Sequence, residues 1–114
     1  MSTAPQGFSD GLGSSSIKFL KGVDFETPQE FEALVSVRKE FNSHPKINAE
    51  QFVYTFRDKE GNEKEFSQVT TSKGLRIAFT QAGVVNEDGE IQEVPFRLSR
   101  TGQMRDTRWH CELL

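Results

Sequence analysis

From Glu50 onward the chain alternates apolar and polar residues with a period of two, and this alternation constrains the fold more than any other feature. Phe52, Tyr54 and Phe56 alternate with Val53, Thr55 and Arg57. Successive side chains of an extended strand point to opposite faces, so the stretch predicts a strand with an aromatic face turned to a core. Asp58-Lys59-Glu60-Gly61-Asn62 supplies turn residues, and Glu63 to Thr70 returns as the hairpin partner. Thr71-Ser72-Lys73-Gly74 breaks the pattern before another alternating strand, Leu75, Ile77 and Phe79 against Arg76, Ala78 and Thr80, closed by Ala82-Gly83. The turn Asn86-Glu87-Asp88-Gly89 separates Val84-Val85 from a strand over Glu90 to Arg100. Pro95 cannot donate to a central ladder, so that strand is broken there or lies at an edge. Thr101-Gly102-Gln103 leads into a last strand, Thr107 to Leu113.

The first forty-odd residues follow a different pattern. Met1 to Ser16 is rich in Gly, Ser and Ala, with Phe8 and Leu12 its sizeable apolar groups, and reads as a flexible arm (1–16). Ile17 to Val23 predicts a first strand. Thr27-Pro28-Gln29-Glu30 has the form of a capping box with proline at the first helical position, which predicts a helix starting at Pro28. Phe31, Leu34, Val35 and Phe41 follow at helical spacing until Asn42, His44 and Pro45 end it, and Arg38 lies within the stripe, its stem expected over the core edge.

One helix followed by five or six strands with short turns gives a mainly antiparallel β domain with one helix, of the α+β class. Two architectures satisfy it: an OB-like, partly open barrel, or a curved sheet covered by the helix. With 114 residues, positions 17–114 suffice for a single globular domain, and ten phenylalanines supply much of its core.

The formal net charge of −3 gives no global field to draw nucleic acid or anionic lipid, so any anion site must be local. Glu87, Asp88, Glu90 and Glu93 form an acidic run just before Arg97, Arg100, Arg105 and Arg108. The single cysteine, Cys111, excludes an intramolecular disulfide and suits a reducing cytoplasm, that of the host cell if the protein is viral. No apolar run approaches a membrane span, and Met1 to Ser16 lacks the features of a secretory signal.

The arginines and the lone tryptophan carry the functional expectation. If Thr107 to Leu113 is extended, Trp109, Cys111 and Leu113 share one face, and Arg108, His110 and Glu112 the other. Arg97, Arg108 and His110 then form a cross-strand patch, with Arg100 and Arg105 flanking the hairpin tip. Guanidinium forks suit phosphate, and exposed rings of Tyr54, Phe52 or Trp109 would stack bases. Lys73 and Arg76 extend the basic track if their strand folds beside the hairpin. The ordinary alternatives are that the rings are core and that the arginines pair with Asp106 and Glu112.

Arg100-Thr101-Gly102-Gln103-Met104-Arg105-Asp106-Thr107-Arg108-Trp109 resembles a pattern near the end of some bacteriophage single-stranded DNA-binding proteins. The resemblance covers about ten residues. It implies an OB-like barrel that binds displaced strands in replication or recombination without catalysis, with Arg100, Arg105 and Arg108 at phosphates and Trp109 as a stacking residue.

Enzymatic chemistry has little to work with. His44 and His110 are the only histidines, and His110 and Cys111, as neighbours on a strand, point apart. One cysteine and two histidines lack the paired spacing of a zinc site, so no metal and no cofactor is expected. The expected partner is single-stranded nucleic acid. The alternative is a structural or protein-interaction module, such as a virion component or inhibitor, that forms a homo-oligomer or docks on a protein through the arm, without a membrane.

Overall fold

A computed structural model describes residues 17–102 and 106–114 of the chain; the arm at 1–16 and the hairpin residues Gln103, Met104 and Arg105 lie outside the described residues. Seven strands and one α-helix follow in order: β1 (Lys18–Phe19), β2 (Gln29–Phe31), β3 (Ala33–Asn42), β4 (Ala49–Arg57), β5 (Glu63–Val69), α1 (Gly74–Ala82), β6 (Phe96–Thr101) and β7 (Arg108–Leu113). A 3-10 turn, Gly22–Glu26, lies between β1 and β2. The fold is mainly antiparallel β with one helix, as the alternation predicts.

Two sheets form, ordered β1-β5-β4-β3 and β2-β6-β7. One bent strand runs through both. β2 and β3 are separated only by Glu32, whose amide donates to the Arg57 carbonyl at 2.7 Å, so a nearly continuous strand bends from one sheet into the other. The strand sequence β3-β4-β5, then a helix, then β6-β7, with the bent strand serving both sheets, is that of an OB-like barrel. This barrel is partly open, because β5 and β7 do not pair. β1 takes the edge of β5 instead, in parallel, and the Leu20 amide extends the pairing to the Glu65 carbonyl.

Phe25 plugs the opening. Its ring, fully buried, lies 5.2 Å from Phe66 of β5 and 5.3 Å from Trp109 of β7, edge to face with both. Inward of this seam, Phe31 stacks on Phe56 at 4.5 Å, and Phe79 of α1 meets Phe96 edge-on at 5.6 Å. Edge and offset arrangements of this kind add to the burial of large aromatic area. The core is therefore aromatic.

Three sequence expectations are corrected here. Residues 29–42 are strands and not a helix: the ladder opposes Leu34 to Phe56 and Val37 to Tyr54, with a register shift between Leu34 and Ser36. This bulge adds one residue, so Leu34 and Val37 reach the same face at a spacing of three and imitate a helical stripe. The helix lies at Gly74–Ala82, where a strand is expected from Leu75, Ile77 and Phe79. Its buried positions are Leu75, Ala78 and Phe79, at i, i+3 and i+4, while Ile77 is half exposed. Gly83, at φ +92°, ends it by donating to the Phe79 and Thr80 carbonyls. The first strand is only Lys18–Phe19, after which the chain turns into Gly22–Glu26. The interruption at Pro95 appears as a strand that starts one residue later, at Phe96.

Candidate functional site

The terminal hairpin has the predicted faces, but its arginines are held by carboxylates. Register pairs Arg97 with Glu112, Ser99 with His110 and Thr101 with Arg108. On the other side, Arg97 faces Glu30 of β2. The Arg97 guanidinium donates to Glu30 at 2.7 Å and to Glu112 at 3.1 Å, so its charge is matched from both flanks. Lys59 also pairs with Glu30, and the Lys59 ammonium, followed by Arg97, holds that carboxyl below its ordinary pKa. Arg100 projects to the other face and donates to Glu26 at 3.2 Å; its guanidinium lies so close to Gly22 that a Cβ there would collide with it. Arg108 is exposed and has no carboxylate partner among the described residues. His110 shares a 2.8 Å hydrogen bond with the Thr101 hydroxyl. Arg105 lies outside the described residues.

The acidic run before the hairpin does not supply these partners. Glu90 engages Asn86, whose Oδ1 accepts from the amides of Asp88 and Glu90 at 2.9 Å each and fixes the turn. The carboxylates that match Arg97 are Glu30 and Glu112, which strand pairing brings across the sheet, and Arg100 is matched by Glu26 of the 3-10 turn. Of these only Glu112 is an expected partner; Glu26 and Glu30 could not be read from local sequence.

Trp109 and Tyr54 belong to the core. Trp109 is held by Phe25 and Phe66, the latter at 5.6 Å, and Cys111 lies on the same inward side, where burial pushes the thiol up to about 12. His110 faces outward. The two therefore form no dyad. Among the described residues, no group of three or more His, Cys, Asp or Glu is placed to hold a metal ion, and no helix is long and apolar enough to cross a membrane.

A second location gathers four of the predicted residues, Phe52, Tyr54, Lys73 and Arg76. A cleft of about 640 Å³ opens between the inner face of β3 and β4, the exposed side of α1 and the turn after it. Val37, Phe52, Ile77, Phe79, Val85 and Ile91 give it apolar walls. Lys73 and Arg76 stand on its helix side, and Asn86 and Glu87 line it from the turn. The Arg76 guanidinium lies over the Phe52 ring at 4.6 Å, and the Lys39 ammonium is 5.8 Å from the same ring. Both contacts are of the cation–π kind. Lys39, Lys73 and Arg76 have no carboxylate partner among the described residues, in contrast to Arg38, Arg57, Lys59, Lys64, Arg97 and Arg100.

Tyr54 lies in the same cleft. Its side chain is 1% exposed, and its hydroxyl is buried without a hydrogen-bond partner. Burial pushes that hydroxyl up to about 12 despite the opposing pull of Arg76.

The opposite face of the large sheet has another character. There Arg38 reaches across the strands to Glu65, at 3.3 Å, and also pairs with Glu40, so in place of the expected stem over the core edge of a helix stripe it joins an ion-pair network on a sheet. Phe19 and Phe41, which sequence reasoning does not single out as functional, border a shallow depression there and are 72% and 64% exposed. Their signal in the sequence is faint, since each stands at a strand end next to charged residues.

Comparison with known proteins gave no match: no family model, no curated protein and no solved structure is similar to this chain.

Proposed function

We propose that the protein is a non-catalytic module that binds single-stranded nucleic acid, DNA in the first instance, through the cleft beside α1. The observation that carries this reading is a set of cations without carboxylate partners among the described residues, Lys39 and Arg76 over Phe52 and Lys73 lining the same cleft, in an acidic protein whose other described arginines are mostly matched. Two of them also stand where stability disfavours them. Lys73 and Arg76 occupy the cap and first turn of α1, which contains no acidic residue and no side-chain cap. The helix dipole is positive at that end, so cations there cost stability and attract anions. A local choice that works against the fold is expected at a binding site.

Arg76, over the Phe52 ring, offers a guanidinium on which a base can stack, while Lys73 and Lys39 meet phosphates. OB-like barrels recur in proteins that bind oligonucleotides, which supports the reading by analogy of fold alone. The bacteriophage resemblance at Arg100 to Trp109, a cytoplasmic location and a role in replication or recombination belong to the same proposal. Arg97, Arg100, Arg105 and Arg108 are then secondary, with Arg108 the free cation among those described.

Fluorescence anisotropy with a labelled oligothymidylate tests it. Binding at low salt should weaken steeply as salt rises, because neutralised phosphates release counterions. Lys73→Glu with Arg76→Glu should lower affinity by at least about tenfold, each charge contact being worth on the order of 1 kcal/mol, whereas Arg97→Gln should leave it within about twofold. Loss through Arg105→Glu and Arg108→Glu alone would move the site to the hairpin. No binding at low salt would sink the reading. Coupled with a dimer or larger species in sedimentation, that result would favour the second reading, an interaction module. The exposed Phe19 and Phe41 support that alternative, since large apolar groups left in water around one depression suit a protein partner.

A further inference from the structure

The Tyr54 hydroxyl has no role in the fold. It is a buried donor without an acceptor, and such a group costs stability relative to phenylalanine at the same position. The ring supplies the packing: it lies 6.4 Å from Phe52, 6.5 Å from Phe56 and 5.7 Å from Phe79. The residue lines the cleft that holds Lys73 and Arg76. Arg76 is exposed, lines the same cleft, and bears on the hydroxyl electrostatically.

We infer that Tyr54 and Arg76 form a subsite that reads a carbonyl oxygen of a base seated in the cleft, and so selects thymine over adenine. This rests on the nucleic-acid reading above. The hydroxyl can donate or accept, but Arg76 fixes the polarity of the pocket: a ligand acceptor is attracted by the cation and accepts a hydrogen bond from the hydroxyl. Thymine offers such an acceptor at O4. Adenine presents an amino donor at the corresponding edge and has no carbonyl. The thymine methyl also has apolar walls to meet, in Val37 and Ile77.

The test is the ratio of affinities for oligothymidylate and oligodeoxyadenylate, in the parent and in Tyr54→Phe. The parent should prefer oligothymidylate. Tyr54→Phe should weaken its binding by about three- to tenfold, as for one hydrogen bond, and leave oligodeoxyadenylate within about twofold. Its thermal midpoint should be equal or higher, because an unpartnered hydroxyl is removed and no cavity is made. An unchanged ratio in a folded Tyr54→Phe protein overturns the subsite while the nucleic-acid reading stands. No binding of either strand by the parent overturns both.

Discussion

Glu30 shows how a single side chain organises its surroundings. It stands on β2 between Lys59 and Arg97, accepts from both, and is held below its ordinary pKa, first by Lys59 and then by Arg97. A carboxyl whose folded pKa is depressed adds stability above its unfolded pKa, near 4.5, and that contribution disappears as pH falls through the folded value. Asp58 acts in the same direction. Burial alone would raise it, but the Asn62 and Glu60 amides, with Lys64, outweigh burial and hold it down. Thermal midpoints measured from pH 7 down to pH 3 should therefore fall, and Glu30→Gln should make the fall below about pH 4.5 smaller. An equal fall in both proteins would remove Glu30 from the acid response. At this scale the sequence is informative about which face each hairpin residue takes, but it puts Glu30 in a helix cap, because its partners come from a distant turn and a distant strand.

At the scale of elements, α1 is where sequence and structure part, and the reason is physical. The bulge in β3 gives a strand the spacing of a helix, and Ile77, exposed on a helix, completes a false alternation with Leu75 and Phe79. The hairpins were legible because Gly61 and Gly102, at φ +85° and +80°, sit where a left-handed turn needs glycine, and at Gly102 a Cβ would meet the Asp106 carbonyl. Moving the helix to residues 74–82 also transformed the candidate site. Lys73 and Arg76 cease to be extra charges on a strand and become cations at a helix start. Lys73→Asp should raise stability by about 0.5–1 kcal/mol, by replacing a cation with an anion at the positive end of the dipole, while weakening oligothymidylate binding. Denaturant unfolding and anisotropy on the same preparation check both signs. A variant that lost stability would show that Lys73 is tolerated for structural reasons.

Over the whole molecule, the barrel is completed by a residue from outside its strands. Phe25 fills the seam between β5 and β7, and its closest ring neighbours include Trp109, the single tryptophan. Phe25→Ala should cost about 3–5 kcal/mol, as large-to-small changes at fully buried aromatics do. The native-state tryptophan emission should shift to the red as water reaches Trp109. A red shift without a stability loss, or the reverse, would separate the plug from the core.

The seam also has a consequence in time. Hairpins such as β4-β5 and β6-β7 join residues near each other in the chain and can form early, but Phe25 must wait for β7, made from the far end of the described residues. Contacts between such distant positions form slowly, since loop closure comes before any gain from packing. Until then Phe66 of β5 and Trp109 of β7 face water on either side of the open seam, so the last contact to form is also the one that shields a surface on which folding chains can associate.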